Sequence, residues 1–370
     1  MPPVLGGGVE KMWHTLAGEF TRRGHEVTYV SRAFGDFPRM ENRDGVRHVR
    51  VPGFDTPASL WKLKLLDLVY SRRCARVLEA SDIIVTHTFW LPMFRSVCRK
   101  GAVYVDVQRM PKGQMRFYGG AARLRANSAA VAHAIQSEAP ALAGRVTLIP
   151  NPLPFPPMVH PQPAAAERER ILLYAGRVHP EKGIHVLLES YRRLPAELRD
   201  SWRVRVVGPW REAEGGGGEG YLNRLKSAAR DGSVEFCGPV HGEAQLSEHY
   251  RSAPIFVYPS LAAKGETFGL AVLEAMAHGC VPVTSNLSCF QDFIEPGLNG
   301  IVFDLASPDP PGRLAGALQS LMSDRSQIAS LSAKAIEVNQ SHASGRIAEM
   351  FLEDFARVNL ARSKPGVPIA

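Results

Sequence analysis

The chain has 370 residues, 45% of them hydrophobic and 22% charged, a profile that suits a globular protein with room for two domains. No run of about 18 apolar residues occurs, so hydropathy gives no helical membrane span, and no secretory leader is visible. The net charge of +8 is uneven: residues 1–155 hold 22 Lys and Arg against 12 Asp and Glu, and residues 156–370 hold 22 against 24. The basic half calls for an anionic partner (a lipid surface, a phosphorylated acceptor or nucleic acid) or is simply a solvated arginine-rich surface. The five cysteines are odd in number and scattered, as for reduced thiols in a cytoplasmic protein, and they have no metal-ligand spacing.

The chain opens on GGGVE, residues 6–10, a glycine loop leading into a helix over 9–23. In a doubly wound domain such a loop follows the first, central strand. Only five residues precede it, so the first N-terminal strand is expected to be missing, through a late start or through loss. EVTYVS (26–31), DIIVTH (82–87), AVYVDV (102–107) and RVTLIP (145–150) have strand length and composition, with helices over 60–80 and 128–137 between some of them. A proline-rich stretch, 152–169, cannot join a helix or a central strand and is expected to link two domains. Beyond it RILLYAG (170–176), WRVRVVG (202–208), VEFCG (234–238), PIFVYPS (254–260), VPVTS (281–285) and GIVFD (300–304) read as strands, most of them separated by helices. The glycine run at 215–218 reads as a flexible surface loop. Three helical segments close the chain from about 310 to 362, before a tail at 363–370. This alternation predicts an α/β architecture with two parallel, doubly wound sheets. The expected domains are 1–151 and 170–340.

Two stretches have the composition of a ligand site. In KGETFGLAVLEAMAHG (264–279), helical spacing of the apolar residues predicts a buried helix beginning near Phe268–Gly269. A helix N-terminus offers unpaired N–H groups and the positive end of a dipole, which suits phosphate. The amides of Thr267, Phe268, Gly269 and Leu270 then face a diphosphate, with Gly269 permitting close approach. Glu266 would accept from sugar hydroxyls, and Glu274 would hold a ribose diol. The plainer alternative is that Glu266 caps the helix and Glu274 pairs with a nearby base. In AGRVHPEKG (175–183), Arg177 and Lys182 lie on a loop at a strand's C-terminal end, where ligands bind in open α/β sheets. A forked guanidinium and an ammonium suit a diphosphate; two ordinary surface cations are the alternative.

Together these segments, with GGGVE, DIIVTHTFW, RANSAAVAHAI, VTLIPNPLP and PGLNGIVFD in that order, resemble the family 4 retaining glycosyltransferases (glycosyltransferase group 1) of the GT-B fold. The resemblance spans nearly the whole chain. It implies two Rossmann-like domains facing across a cleft, with a closing helix (341–362) that crosses back to the N-terminal, acceptor-side domain. It also implies a nucleotide-sugar donor, UDP-linked by family frequency, and a glycan or lipid-linked acceptor. No metal or other cofactor is implied, and no nucleic acid. Residue by residue, Glu266 resembles the acid near the donor sugar, Glu274 the ribose ligand, and Arg177 and Lys182 the pair that neutralises the leaving diphosphate. Gly7 and Gly8 resemble the loop that approaches the diphosphate, and His87 the histidine near acceptor and donor sugar; a core histidine or a strand-end histidine is its alternative. The implied mechanism is same-face attack, in which a leaving phosphate oxygen deprotonates the acceptor.

Three features depart from the pattern. Asp106 stands where a histidine is common, followed by Arg109, Lys112 and Arg116, which would bind an anionic acceptor or be solvated. NLSCFQDF (286–293) replaces the usual glycine pair after VPVTS, which puts donor contacts there in doubt. The third departure is the expected absence of the first strand. The segment 60–80 mixes leucines with Lys62, Lys64, Arg72, Arg73 and Arg76. It reads either as a helix on an anionic bilayer or as a packed helix with its cations in water. The expected location is cytoplasmic, with peripheral contact at the inner face of the membrane left open. Rival readings are a non-catalytic or truncated homologue and a sugar-nucleotide epimerase. A nicotinamide oxidoreductase is disfavoured, because GGGVEKMW lacks the G-x-G-x-x-G spacing.

Overall fold

The computed structural model describes residues 8–55, 57, 59–156, 164–229, 232–240 and 242–363. The chain divides into two compact units, one joining residues 1–156 with 342–370 and the other holding 157–341.

The first unit runs α1 (Gly8–Arg22), β1 (Thr28–Arg32), β2 (Met40–Arg43), β3 (Val46–Val51), α2 (Leu60–Val77), β4 (Ile83–Thr86), α3 (Arg95–Cys98), β5 (Ala102–Val107), β6 (Arg123–Ala126), α4 (Ala129–Glu138) and β7 (Val146–Leu148). Its strands form two separate sheets, ordered β1-β3-β2 and β4-β5-β6-β7. Among the described residues no strand pairs with the outer edge of β1 or of β4. The hairpin β2–β3 was not foreseen, because MENRDGVRHVRV is rich in charge. Its turn is Asp44-Gly45, with φ of 50° and 79°, the left-handed pair that a tight hairpin requires. β3 is buried all the same, because Arg50 pairs with Glu41 and donates to Pro38 O at 2.7 Å.

Period-two alternation on β5 sorts its side chains between two cores. Val103, Val105 and Val107 join Ile84, Leu124, Val131 and Ile135 on one face. Tyr104 joins Trp13, Leu16 and Phe20 of α1 on the other, with Ile347 and Phe351. These last two come from the closing helix α13 (Ser344–Ser363), which returns to this unit. Trp13 and Phe351 pack with ring centroids 5.1 Å apart. Asp354 accepts from Tyr104 OH at 2.9 Å and takes both ends of the Arg123 guanidinium at 3.0 and 2.7 Å.

The second unit contains β8 (Ile171–Ala175), α5 (Ile184–Arg192), α6 (Ala196–Ser201), β9 (Arg203–Val207), α7 (Gly218–Ala228), β10 (Val234–Gly238), α8 (Glu243–Ser252), β11 (Ile255–Tyr258), α9 (Leu270–Ala277), β12 (Val281–Ser285), β13 (Ile301–Phe303), α10 (Pro310–Ser323), α11 (Arg325–Ala335) and α12 (Val338–Ser341). All six strands of its sheet are parallel, in the order β10-β9-β8-β11-β12-β13. β8, β11 and β12 are buried along their whole length, as expected for a sheet covered on both faces. The chain order reverses between β8 and β11, and the loops leaving those two strands therefore flank the crevice where open α/β sheets bind ligands.

The glycine run is not a free loop. Gly216 N donates to Arg211 O, Gly217 N to Val178 O and Gly218 N to Trp210 O, each at 2.8–2.9 Å. A Cβ on Gly216 would lie 2.2 Å from the Trp210 backbone. Glycine is needed here for close approach, not for flexibility.

Candidate functional site

The loops leaving β8 and β11 are laced together. Gly183 has φ 71°, and a Cβ there would lie 1.9 Å from Pro259 O. Leu261 N donates to Glu181 O at 2.8 Å. This crossing brings two of the expected site residues into direct contact. Lys182 Nζ and Glu266 Oε2 are 2.6 Å apart, with side chains only 8% and 11% exposed.

The same carboxylate oxygen, Oε2, also accepts from Tyr258 OH at 3.2 Å and from Ser260 Oγ at 3.4 Å. Three donors thus converge on one oxygen and fix the orientation of the carboxylate. Tyr258 is itself held by stacking on Tyr174, with ring centroids 5.7 Å apart and planes within 6°. Lys182 Nζ lies 5.5 Å from the Tyr258 ring centroid. Burial, and then the Glu266 carboxylate, push the Tyr258 phenol well above its usual pKa, so it stays protonated and remains a donor. Sequence reading missed Tyr258 and Ser260. The available signal was their place at the end of the strand run IFVYPS, in the strand that neighbours β8.

Arg177, half exposed, donates to Glu181 Oε1 at 2.8 Å and to Gly215 O at 2.6 Å. The glycine run therefore fixes one end of this guanidinium. Both cations of the loop already have an acid beside them, and an incoming diphosphate would compete with Glu181 and Glu266 for them.

The helix carrying Glu274 begins at Leu270, with Gly269 as its N-cap at φ 88°. A Cβ on Gly269 would lie 2.4 Å from Phe290 Cε1. The loop NLSCFQDF, whose replacement of glycines put donor contacts in doubt, thus supplies a packed wall behind this turn. Phe268 is buried and stacks near Phe293 at 5.5 Å. Glu274 is half buried and accepts from Tyr250 OH at 3.2 Å.

His87 and Gly8 belong to the first unit, and Gly7 lies outside the described residues. His87 is exposed just past β4, which removes the reading of it as a core histidine and leaves that of a strand-end histidine standing. The next turn is pinned by Asp67 of α2, whose Oδ2 accepts from Phe89 N at 3.2 Å. Burial raises the Asp67 pKa, against the lowering effect of the Phe89 and Trp90 amides and the His87 charge. Asp106, which stands where the family commonly has a histidine, is a core residue. Its Oδ1 meets Arg125 NH1 at 2.7 Å with both side chains 0% exposed, and its Oδ2 accepts from Trp13 Nε1 at 2.7 Å. Arg109, Lys112 and Arg116 are exposed.

Among the described residues, no group of three or more His, Cys, Asp or Glu side chains is placed to hold a metal ion. Nor is any helix long and apolar enough to cross a membrane.

Comparison with known proteins finds two family models along the chain. Glycosyl transferases group 1 matches residues 158–338, and Glycosyltransferase Family 4 matches residues 6–154. The D-inositol 3-phosphate glycosyltransferase of Geodermatophilus obscurus is 34% identical over 43% of this chain and 35% of its own length. The lipopolysaccharide 1,2-N-acetylglucosaminetransferase of Salmonella typhimurium is 30% identical over 43% of this chain and 41% of its own. Each match thus spans well under half of the relative's length. Among solved structures, Anabaena HepE in complex with UDP and glucose superposes with a TM-score of 0.69 at 17% identity, covering 95% of this chain and 96% of that one. At that identity the likeness speaks for the GT-B fold alone.

Proposed function

We propose that this chain, which belongs to the group 1 glycosyltransferases of family 4, moves a hexosyl group from a nucleoside diphosphate sugar to a hydroxyl of a glycan or glycolipid acceptor. The observation that carries this reading is the Lys182–Glu266 pair, held between the β8 and β11 loops where the strand order reverses. Lys182 and Arg177 would take up the charge that develops on the leaving diphosphate, an electrostatic contribution. Glu266 would accept from a hydroxyl of the donor sugar, and Glu274 from the ribose. With cations in this role, the reaction needs no divalent ion.

The donor we favour is UDP-linked, and the transfer retains the anomeric configuration. Attack comes from the face the nucleotide leaves, with a phosphate oxygen taking the acceptor proton, so no enzymic carboxylate forms a glycosyl intermediate. The relative that acts on lipopolysaccharide by name supports an acceptor in polysaccharide or envelope glycoconjugate synthesis. In this reading the site of action is cytoplasmic, beside the inner face of the membrane. His87, on the first unit, would stand on the acceptor side.

The test is product analysis by NMR with UDP-glucose, UDP-N-acetylglucosamine and GDP-mannose in the presence of EDTA. The expected product of the accepted donor keeps the donor's axial anomeric bond and forms at an undiminished rate. An inverted product would refute the mechanism, and loss of activity restored by Mg²⁺ would refute the metal-free reading.

A further inference from the structure

Helix α2 turns large apolar side chains outward. Trp61 is 85% exposed and Leu65 61% exposed, although a helix of a globular protein ordinarily points such residues at the core. At 100° per residue, Trp61, Leu65, Arg72 and Arg76 fall within a sector of about 60°. Arg72 and Arg76 are also exposed, as are Lys62 and Lys64 on either flank of the sector. In the later turns the opposite side packs inward: Cys74 is buried in the core with Tyr70 against it, whereas Leu63, on that side in the first turn, is 37% exposed. One face of α2 is therefore apolar in its first turns, basic in its last, and uncovered among the described residues.

The charges say what covers it. α2 carries five cations and one acid, Asp67, and that acid is turned inward onto Phe89 N. Lys64 sits over the Phe89 ring at 5.1 Å, and Arg73 over the Phe54 ring at 5.0 Å. Phe54 is itself 37% exposed. Aromatic and leucine side chains interleaved with lysine and arginine match the boundary between acyl chains and anionic headgroups.

We infer that this face of α2 seats the first unit on an anionic lipid surface, with Trp61 and Leu65 entering the interface and Lys62, Lys64, Arg72 and Arg76 meeting the headgroups. The seat adjoins the turn after β4 that follows His87, since Asp67 ties the two together. A lipid-borne hydroxyl would thus be delivered beside that histidine. The inference rests on the reading of a membrane-linked acceptor.

The test is co-sedimentation of the full chain with phosphatidylcholine vesicles, with and without phosphatidylglycerol, at low and high salt. Trp61→Ser/Leu65→Ser and Lys62→Glu/Arg72→Glu serve as the two variants, all at exposed positions. The expected result is binding only to the anionic vesicles, weakened by salt. Each double variant should lose tenfold or more while circular dichroism and hydrolysis of a soluble donor stay unchanged. The inference is overturned by absence of binding to anionic vesicles, by variants that bind as well as the parent, or by a lipid-free dimer that buries Trp61. Donor hydrolysis is read separately, so failure of the seat is distinguishable from failure of the transferase reading.

Discussion

Tyr258→Phe is the sharpest perturbation of the candidate site. It keeps the ring stacked on Tyr174 and beneath Lys182 and removes one hydroxyl, the donor 3.2 Å from Glu266 Oε2. A hydrogen bond to a charged group contributes about 1.5–3 kcal/mol. The length of this one places it near the lower figure. Lys182, at 2.6 Å from the same oxygen, remains, so the carboxylate is loosened and not released. If Glu266 works through its fixed orientation, the loss falls on the transition state, and about 1.4 kcal/mol is tenfold in rate. The expectation is therefore a roughly tenfold fall in kcat for donor hydrolysis or transfer, with little change in donor KM. Melting temperature should barely move, because the ring stays packed. Tyr174→Phe is the control: its hydroxyl donates to Arg177 O at 2.8 Å and not to Glu266, and it should spare kcat. A Tyr258→Phe enzyme with unchanged kcat would refute the claim that the three donors on Oε2 set the working geometry of Glu266.

Gly269→Ala should both destabilise and disable the site. It forces a side chain into φ 88° and into Phe290 at 2.4 Å, an overpacking cost of about 1–3 kcal/mol that a denaturation midpoint would read. Asp106→Ala should cost about 3–5 kcal/mol, because Arg125 is left charged in the core, whereas Arg109→Ala should leave stability within about 0.5 kcal/mol; equal effects would contradict the core assignment. Acid should weaken the fold before its carboxylates titrate. Burial pushes His278 and His342 down to about 4 from 6.5, so the unfolded chain binds more protons between those values. Their contribution is complete above pH 6.5, and about 2 kcal/mol for each is gone by pH 5. Unfolding by urea from pH 7.5 to 4.5 checks this, and a flat profile would contradict it.

The parallel strands of the second unit were legible because apolar runs of strand length are bounded by turn signals there. The two loops of the candidate site were legible for a related reason: Lys182 and Glu266 each sit on a short polar loop that interrupts such a run. What escaped did so where charge is buried by pairing. β6, RLRA, looks like surface until Arg125 meets Asp106, and β3 looks like surface until Arg50 meets Glu41. A pair of that kind joins residues 19 apart in the chain in the first case, so no local pattern announces it. The glycine run misled for the converse reason: four glycines permit mobility, and only the proximity of Trp210, Val178 and Arg177 shows that they serve close packing. The clamp on Glu266 was hidden because its donors come from two strands' ends that meet only once the sheet order is set.

Donor binding bears most directly on the site. Titration calorimetry of the full chain against UDP-glucose, UDP-galactose, UDP-N-acetylglucosamine, GDP-mannose and ADP-glucose, with Lys182→Ala and Glu274→Ala beside it, measures it. The account predicts saturable binding of one donor, weakened tenfold or more in both variants while circular dichroism stays unchanged. A folded chain that binds no donor, or binds one equally well in both variants, would contradict the site and put a non-catalytic role in its place.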